Sequence, residues 1–142
     1  MHIHIVGIGG SGMSAIARVL LGRGMVVSGS DMQSNVLTAA LAADGATIFE
    51  GHQAENIAGA EALLISSAVP RDNPEIAAAR ALSLPILKRA DLLGELMVDT
   101  IGIAVAGSHG KTTTTGMIAQ DFDGGRLGPH GDYGRDTAHD GE

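Results

Sequence analysis

Cysteine is absent from the 142 residues, which excludes disulfides and thiolate metal sites. Tryptophan is absent too. Only Phe49, Phe122 and Tyr133 are aromatic, so a core must be built from Ala, Val, Ile, Leu and Met. Long apolar runs are missing, and nothing approaches the roughly 18 residues of a membrane-spanning helix. Basic residues are in deficit, nine against sixteen acids, and a net charge of −7 offers nothing to a nucleic acid. The start of the chain lacks the basic residues and small-residue cleavage pattern of a secretory signal, so the expected location is the cytoplasm. What is present is 44% hydrophobic residues, 18% charged residues and 21 glycines. That composition suits a globular protein, and the length suffices for one core.

The charge is uneven along the chain. Residues 1–120 hold ten acids and seven bases, whereas residues 121–142 hold six acids, two bases and six glycines with almost nothing large and apolar. The last segment has no helical or strand periodicity and reads as disordered.

Two glycine loops dominate the rest. Residues 2–6 (HIHIV) read as a short strand, followed at once by Gly7-Ile8-Gly9-Gly10-Ser11-Gly12. Met13, Ile16, Ala17, Leu20 and Leu21 then form an apolar helical stripe. Gly24 stops that helix, and residues 25–28 make a second strand closing on Gly29-Ser30-Asp31. Gly7, Gly9 and Gly12 match G-x-G-x-x-G, and Asp31 lies 19 residues past Gly12. In a strand–loop–helix–strand context this is a dinucleotide-type fingerprint: a diphosphate on the helix N-terminus and a ribose hydroxyl near Asp31. NAD satisfies it, and so does a uridine diphosphate sugar.

The second loop lies in residues 101–115, IGIAVAGSHGKTTTT. Residues 101–106 read as a buried parallel strand. Gly107 and Gly110 allow a sharp turn, the helix N-terminus suits phosphate oxygens, Lys111 can reach terminal phosphates, and Thr112 or Thr113 can ligate Mg²⁺. It is a shortened phosphate loop, G-x-x-G-K-T-T, because Val105 stands where the longer pattern needs glycine.

Between the loops, Ser34 or Asn35 caps a helix carrying Val36, Leu37, Ala40 and Leu41. Residues 46–49, 62–66 and 84–87 read as further strands, residues 55–59 as a helical turn, and residues 74–82 and 89–98 as helices, with Asp99-Thr100 a brief linker. The alternation predicts an α/β fold, a Rossmann-like doubly wound and mostly parallel sheet with its crevice at the carboxyl ends of strands one, two and four. The histidines say less. His2 and His4 share a strand face, for which an edge position is expected. His52 is expected at the surface rather than in the crevice. His109 sits inside the phosphate loop, able to touch a phosphate or a substrate carboxylate or only to shape the loop, and His130 and His139 should be solvated. Ser66-Ser67 ends the fourth strand, where ligands bind.

The segments IHIVGIGGSGMSAIARVLLGRG, VSGSD, SSAVPRDNPEI and VAGSHGKTTTT, in this order, resemble the Mur ligases of peptidoglycan synthesis over residues 1–120. The GIGGSGMSAIA loop is more similar to the alanine-adding branch than to the recycling branch that attaches a tripeptide. The resemblance implies three parts here: a UDP-sugar-binding Rossmann-like domain over residues 1–99, the start of a P-loop ATPase domain over residues 100–120, and a non-family tail over residues 121–142. It favours a UDP-sugar over NAD and accounts for the short phosphate loop. It implies that Gly9, Gly10, Ser11, Gly12 and Met13 hold the diphosphate with Asp31 near the uridine. Gly107, Ser108, His109, Gly110, Lys111, Thr112 and Thr113 would bind ATP and Mg²⁺, with Lys111 as the catalytic clamp. The implied reaction is ATP-dependent joining of L-alanine to UDP-N-acetylmuramate through an acyl phosphate. A complete ligase of this kind is about three times longer, so the expectation is a truncated chain that does not catalyse ligation alone. The alternative is a non-catalytic UDP-sugar or nucleotide-binding module.

Overall fold

The computed structural model describes residues 1–98 and 106–121. The expected strand residues 101–105, the linker at Asp99 and Thr100, and residues 122–142 with His130 and His139 lie outside the described residues. The chain divides into two compact units, residues 1–100 and 101–142.

The first unit is a five-stranded sheet: β1 (His2–Val6), β2 (Val26–Asp31), β3 (Thr47–Glu50), β4 (Ala62–Ile65) and β5 (Ile86–Lys88). The order is β3-β2-β1-β4-β5, and every pairing is parallel. Helices α1 (Ser11–Gly22), α2 (Val36–Ala43), α3 (Pro74–Ala81) and α4 (Arg89–Leu96) connect or follow the strands, with a 3-10 turn at Ala54–Ile57. This is the expected doubly wound α/β class. Because the order reverses between β1 and β4, the carboxyl ends of those strands diverge and leave a crevice.

Period-two alternation assigns the two faces of the sheet. Ile3, Ile5, Val27, Ala62 and Leu64 pack with Met13, Ile16, Ala17 and Leu20 of α1, Leu41 of α2 and Leu92 of α4. On the other face Val6 and Leu63 pack with Ile57, Ile76 and Ala79, under the 3-10 turn and α3. Burying each such aliphatic side chain contributes about 1.5–3 kcal/mol.

Most element boundaries shift by one or two residues from expectation, and three departures bear on the sheet. Strand β2 runs on through Gly29 and Ser30 to Asp31, because its register with β1 and β3 continues to that residue. Strand β5 starts at Ile86 rather than Leu84, after Ser83 turns the chain with φ 54°. The histidine strand is not an edge: β1 is the middle of the five strands, so His4 is fully buried. The second unit contributes α5 (Lys111–Asp121), preceded by an exposed loop over residues 106–110, and Ala106 belongs to no strand. Among the described residues no helix is long and apolar enough to cross a membrane.

Candidate functional site

The glycine loop between β1 and α1 is bent back on itself. Gly7 has φ 80°, a conformation that strongly favours glycine. The Gly10 N–H returns to the Gly7 carbonyl at 3.2 Å. Gly10 caps α1 with no side chain, and no acid lies in the first turn. The N–H groups of Met13 and Ser14 bond to the Gly10 carbonyl. Those of Ser11 and Gly12 have no partner among the described residues. Two free donors at the positive end of a twelve-residue helix suit an anion. Met13, expected at the diphosphate, puts its side chain into the core.

Two adjoining cavities open at this loop, sharing Gly10, Ser66 and Val69. The larger, about 720 Å³, is lined by residues 10–13, Ser66, Ser67, Arg71, Lys88 and Arg89. The Arg89 guanidinium lies against the loop, since a Cβ built on Gly12 would stand 2.6 Å from its Nη1. None of the three cations has a carboxylate within salt-bridge distance among the described residues. The crevice therefore extends beyond the ends of β1, β2 and β4: the end of β5 and start of α4 supply Lys88 and Arg89, and the loop after β4 supplies Arg71.

The smaller cavity, about 390 Å³, is lined by Gly7, Gly9, Asp31, Asn35, His52 and Pro70 among others. Asp31 Oδ2 accepts from the Gly9 N–H at 2.8 Å, and Asn35 Nδ2 donates to the Gly9 carbonyl at 3.1 Å. A Cβ at Gly9 would sit 2.8 Å from both side chains, so glycine is required for that approach. His52 is in this wall, not on the surface as expected, with its side chain 15% exposed.

Behind His52 lies a buried polar cluster that sequence reasoning missed. Glu75, at the start of α3, is fully buried. Its carboxylate accepts from Ser30 Oγ at 2.7 Å, from Asn56 Nδ2 at 2.7 Å and from His52 Nδ1 at 3.1 Å. His4 Nε2, buried and without a hydrogen bond, stands 3.5 Å from Glu75 Oε1. Burial raises the Glu75 carboxyl, but His4, the Ser30 hydroxyl and the Asn56 amide outweigh it and hold it at about 2. His2 Nε2 and His4 Nδ1 each contact Ser28 Oγ at 2.8 Å, an arrangement for hydrogen bonding. Among the described residues no group of three His, Asp or Glu is placed to hold a metal.

In the second unit the phosphate-loop residues form an exposed turn, with φ 148° at Gly107 and 78° at Gly110. Lys111 Nζ curls back to the Gly107 carbonyl, over the loop it follows. Ser108 and His109 are exposed, and Thr112 and Thr113 fall in the first turn of α5. Thr115 is spent within the helix, donating to the Lys111 carbonyl at 2.7 Å. Among the described residues the N–H groups of Lys111 and Thr113 have no partner and the Lys111 ammonium lies beside them, an arrangement compatible with a phosphate chain.

The Mur ligase family, catalytic domain, matches residues 2–100. The chain belongs to the Mur ligase family. It is 51% identical over 148 aligned residues to a UDP-N-acetylmuramate–L-alanine ligase of Solibacter usitatus, covering 97% of this chain and 31% of the relative. That alignment runs past Gln120 into the acidic segment. Among solved structures it is similar to UDP-N-acetylmuramate-alanine ligase of Thermotoga maritima, with TM-score 0.83 and 39% identity over 87% of this chain and 29% of that one. A UDP-N-acetylmuramate:L-alanyl-gamma-D-glutamyl-meso-diaminopimelate ligase of Neisseria meningitides follows, with TM-score 0.79 and 32% identity over 86% of this chain and 39% of that one. The chain thus spans about a third of the length of the relative it matches over 97% of its own.

Proposed function

We propose that this Mur ligase chain carries the UDP-sugar site and the ATP loop of an enzyme that joins L-alanine to UDP-N-acetylmuramate. The observation that carries this reading is the polarity of the crevice. Among the described residues, one end has three cations without a carboxylate partner and two N–H groups without an acceptor; the other has the Asp31 carboxylate and the His52 ring. A nucleoside diphosphate sugar matches both ends. Its diphosphate only accepts hydrogen bonds, and its ribose and base bring O–H and N–H donors. The diphosphate would rest on the Ser11 and Gly12 N–H groups beneath Arg89, with the ribose toward Asp31. Higher identity to the alanine ligases (51% and 39%) than to the peptide ligase (32%) favours L-alanine over a peptide as the second substrate.

In the second unit, residues 107–113 would cradle the ATP phosphates, with Lys111 as the electrostatic clamp and Thr112 or Thr113 toward Mg²⁺. The metal would neutralise charge on the transferring phosphoryl group when bound. The sugar's lactyl carboxylate takes the γ-phosphoryl, and the amine of L-alanine displaces it as phosphate, leaving an amide. This chain's residues contribute placement and charge in that sequence. Both nucleotide ligands are cytoplasmic, and so is the proposed site of action. A non-catalytic UDP-sugar module is the second reading, because every crevice residue named above belongs to the unit of residues 1–100. That module has no use for Lys111.

A calorimetric titration of the chain with UDP-N-acetylmuramate, ATP and NAD tests the proposal. Saturable binding of the first two is expected, with ATP binding lost in Lys111→Ala. Saturable binding of NAD without UDP-N-acetylmuramate would sink it.

A further inference from the structure

Glu75 is a carboxylate with no access to solvent, directly behind the His52 ring that lines the smaller cavity. Burying it costs stability unless every lone pair is used. Its partners do more than satisfy it, because they determine where one proton sits. The Ser30 hydroxyl is 2.7 Å from Glu75 Oε2 and 2.9 Å from His52 Nδ1. An ionised carboxylate can only accept, so the Ser30 proton points to Glu75. Ser30 Oγ then offers His52 only lone pairs. His52 Nδ1 therefore faces two acceptors, Ser30 Oγ and Glu75 Oε2, and must carry a proton. In the neutral ring Nε2 is then an acceptor. That nitrogen has no protein hydrogen bond among the described residues and is not a buried orphan, while His52 lines the smaller cavity with Asp31.

We propose that Glu75 is a positioning residue for ligand recognition. With Ser30 it locks His52 in the Nδ1–H tautomer, so that Nε2 meets an O–H or N–H donor at the nucleoside end of the ligand. The ligand half rests on the nucleotide reading above; the tautomer half does not. The arrangement also orients the ligand. A phosphate, which brings only acceptors, is refused by a wall made of Asp31 and His52 and is left to the cationic cavity.

Long-range ¹H–¹⁵N correlation of the histidine rings in the full ligand-free chain, above the ordinary imidazole range of pH, reads the tautomer directly. His52 is expected with Nδ1 protonated and Nε2 bare, and UDP should move the Nε2 resonance. Glu75→Gln should mix the tautomers and weaken UDP by about tenfold, the scale on which outer-shell partners of ligating histidines act. Asn73→Ala is the control. Asn73 caps the same helix end through the Glu75 and Ile76 N–H groups but touches nothing of His52, so tautomer and affinity should stay put. If Glu75→Gln does not fold, the ligand-free wild-type spectrum still decides the tautomer, and Ser30→Ala, which leaves the Glu75 carboxylate 3.1 Å from Nδ1, should keep Nδ1 protonated. A wild-type His52 protonated on Nε2, a folded Glu75→Gln chain with unchanged tautomer and affinity, or a Ser30→Ala chain with mixed tautomers overturns the proposal. Failure of UDP to bind at all overturns the nucleotide reading and the ligand half with it, and the ligand-free spectrum still decides the part of Glu75.

Discussion

Arg89 lies so close to Gly12 that a methyl group there would stand 2.6 Å from Nη1. In the proposed reading, guanidinium and loop act together as one anion site. Arg89→Ala should weaken UDP by about tenfold or more, the loss of a charge-assisted hydrogen bond, with little change in unfolding stability because the side chain is exposed. Gly12→Ala should act alike by pushing the guanidinium away, and calorimetry on both variants checks this. At Glu75 the consequence is for pH. Its folded value of about 2 lies below the ordinary 4.5, so its stabilisation is full above about pH 4.5 and fades as pH falls toward 2. The ceiling on that loss is about 3 kcal/mol from the size of the shift. Urea unfolding across this window should show the slope, and Glu75→Gln should flatten it. Gly12 was legible because its fingerprint is contiguous. Arg89 was not, because nothing along the chain says that the start of α4 returns to the start of α1.

Helix α1 illustrates a choice of function over stability. Its cap residue, Gly10, has φ −70° and ψ 144°, a conformation open to any residue, and a Cβ there would meet nothing nearer than 3.5 Å. Gly10→Asp should cap the helix and add about a few tenths of a kcal/mol, since glycine is itself a tolerated cap. The new carboxylate would also take the free N–H groups and repel phosphate, so UDP binding should vanish as the melting temperature rises. Helix α2 is the opposite case. Asn35 accepts from the Leu37 and Thr38 N–H groups, Thr38 Oγ1 returns the bond to the Asn35 N–H, and Asn35 Nδ2 also holds the Gly9 carbonyl. Asn35→Ala should cost about 1–2 kcal/mol as a lost cap and should also loosen the glycine loop, seen as weaker UDP binding. The cap was legible as a residue type ahead of an apolar stripe. Its second bond, to Gly9, was not.

Across the whole molecule, the residues of the crevice come from one unit, residues 1–100. Residues 1–100 alone should unfold in one transition and bind UDP as tightly as the full chain, while losing ATP binding, as measured by denaturation and calorimetry. Binding should also weaken as salt is added, since Arg71, Lys88 and Arg89 act through screened charge. The glycine fingerprint, the short phosphate loop, the parallel α/β class and the family were all readable along the chain. Each rests on neighbours within a strand–loop–helix, where backbone geometry follows from local residue types. The cationic cavity and the Glu75–Ser30–His52 cluster were decided only by the fold. Placing β1 in the middle of the order β3-β2-β1-β4-β5 buries His4 and brings Ser30 on β2 to Glu75 on α3. It also turns the basic end of β5 toward the first loop. These contacts join residues far apart in sequence, and no local periodicity encodes them.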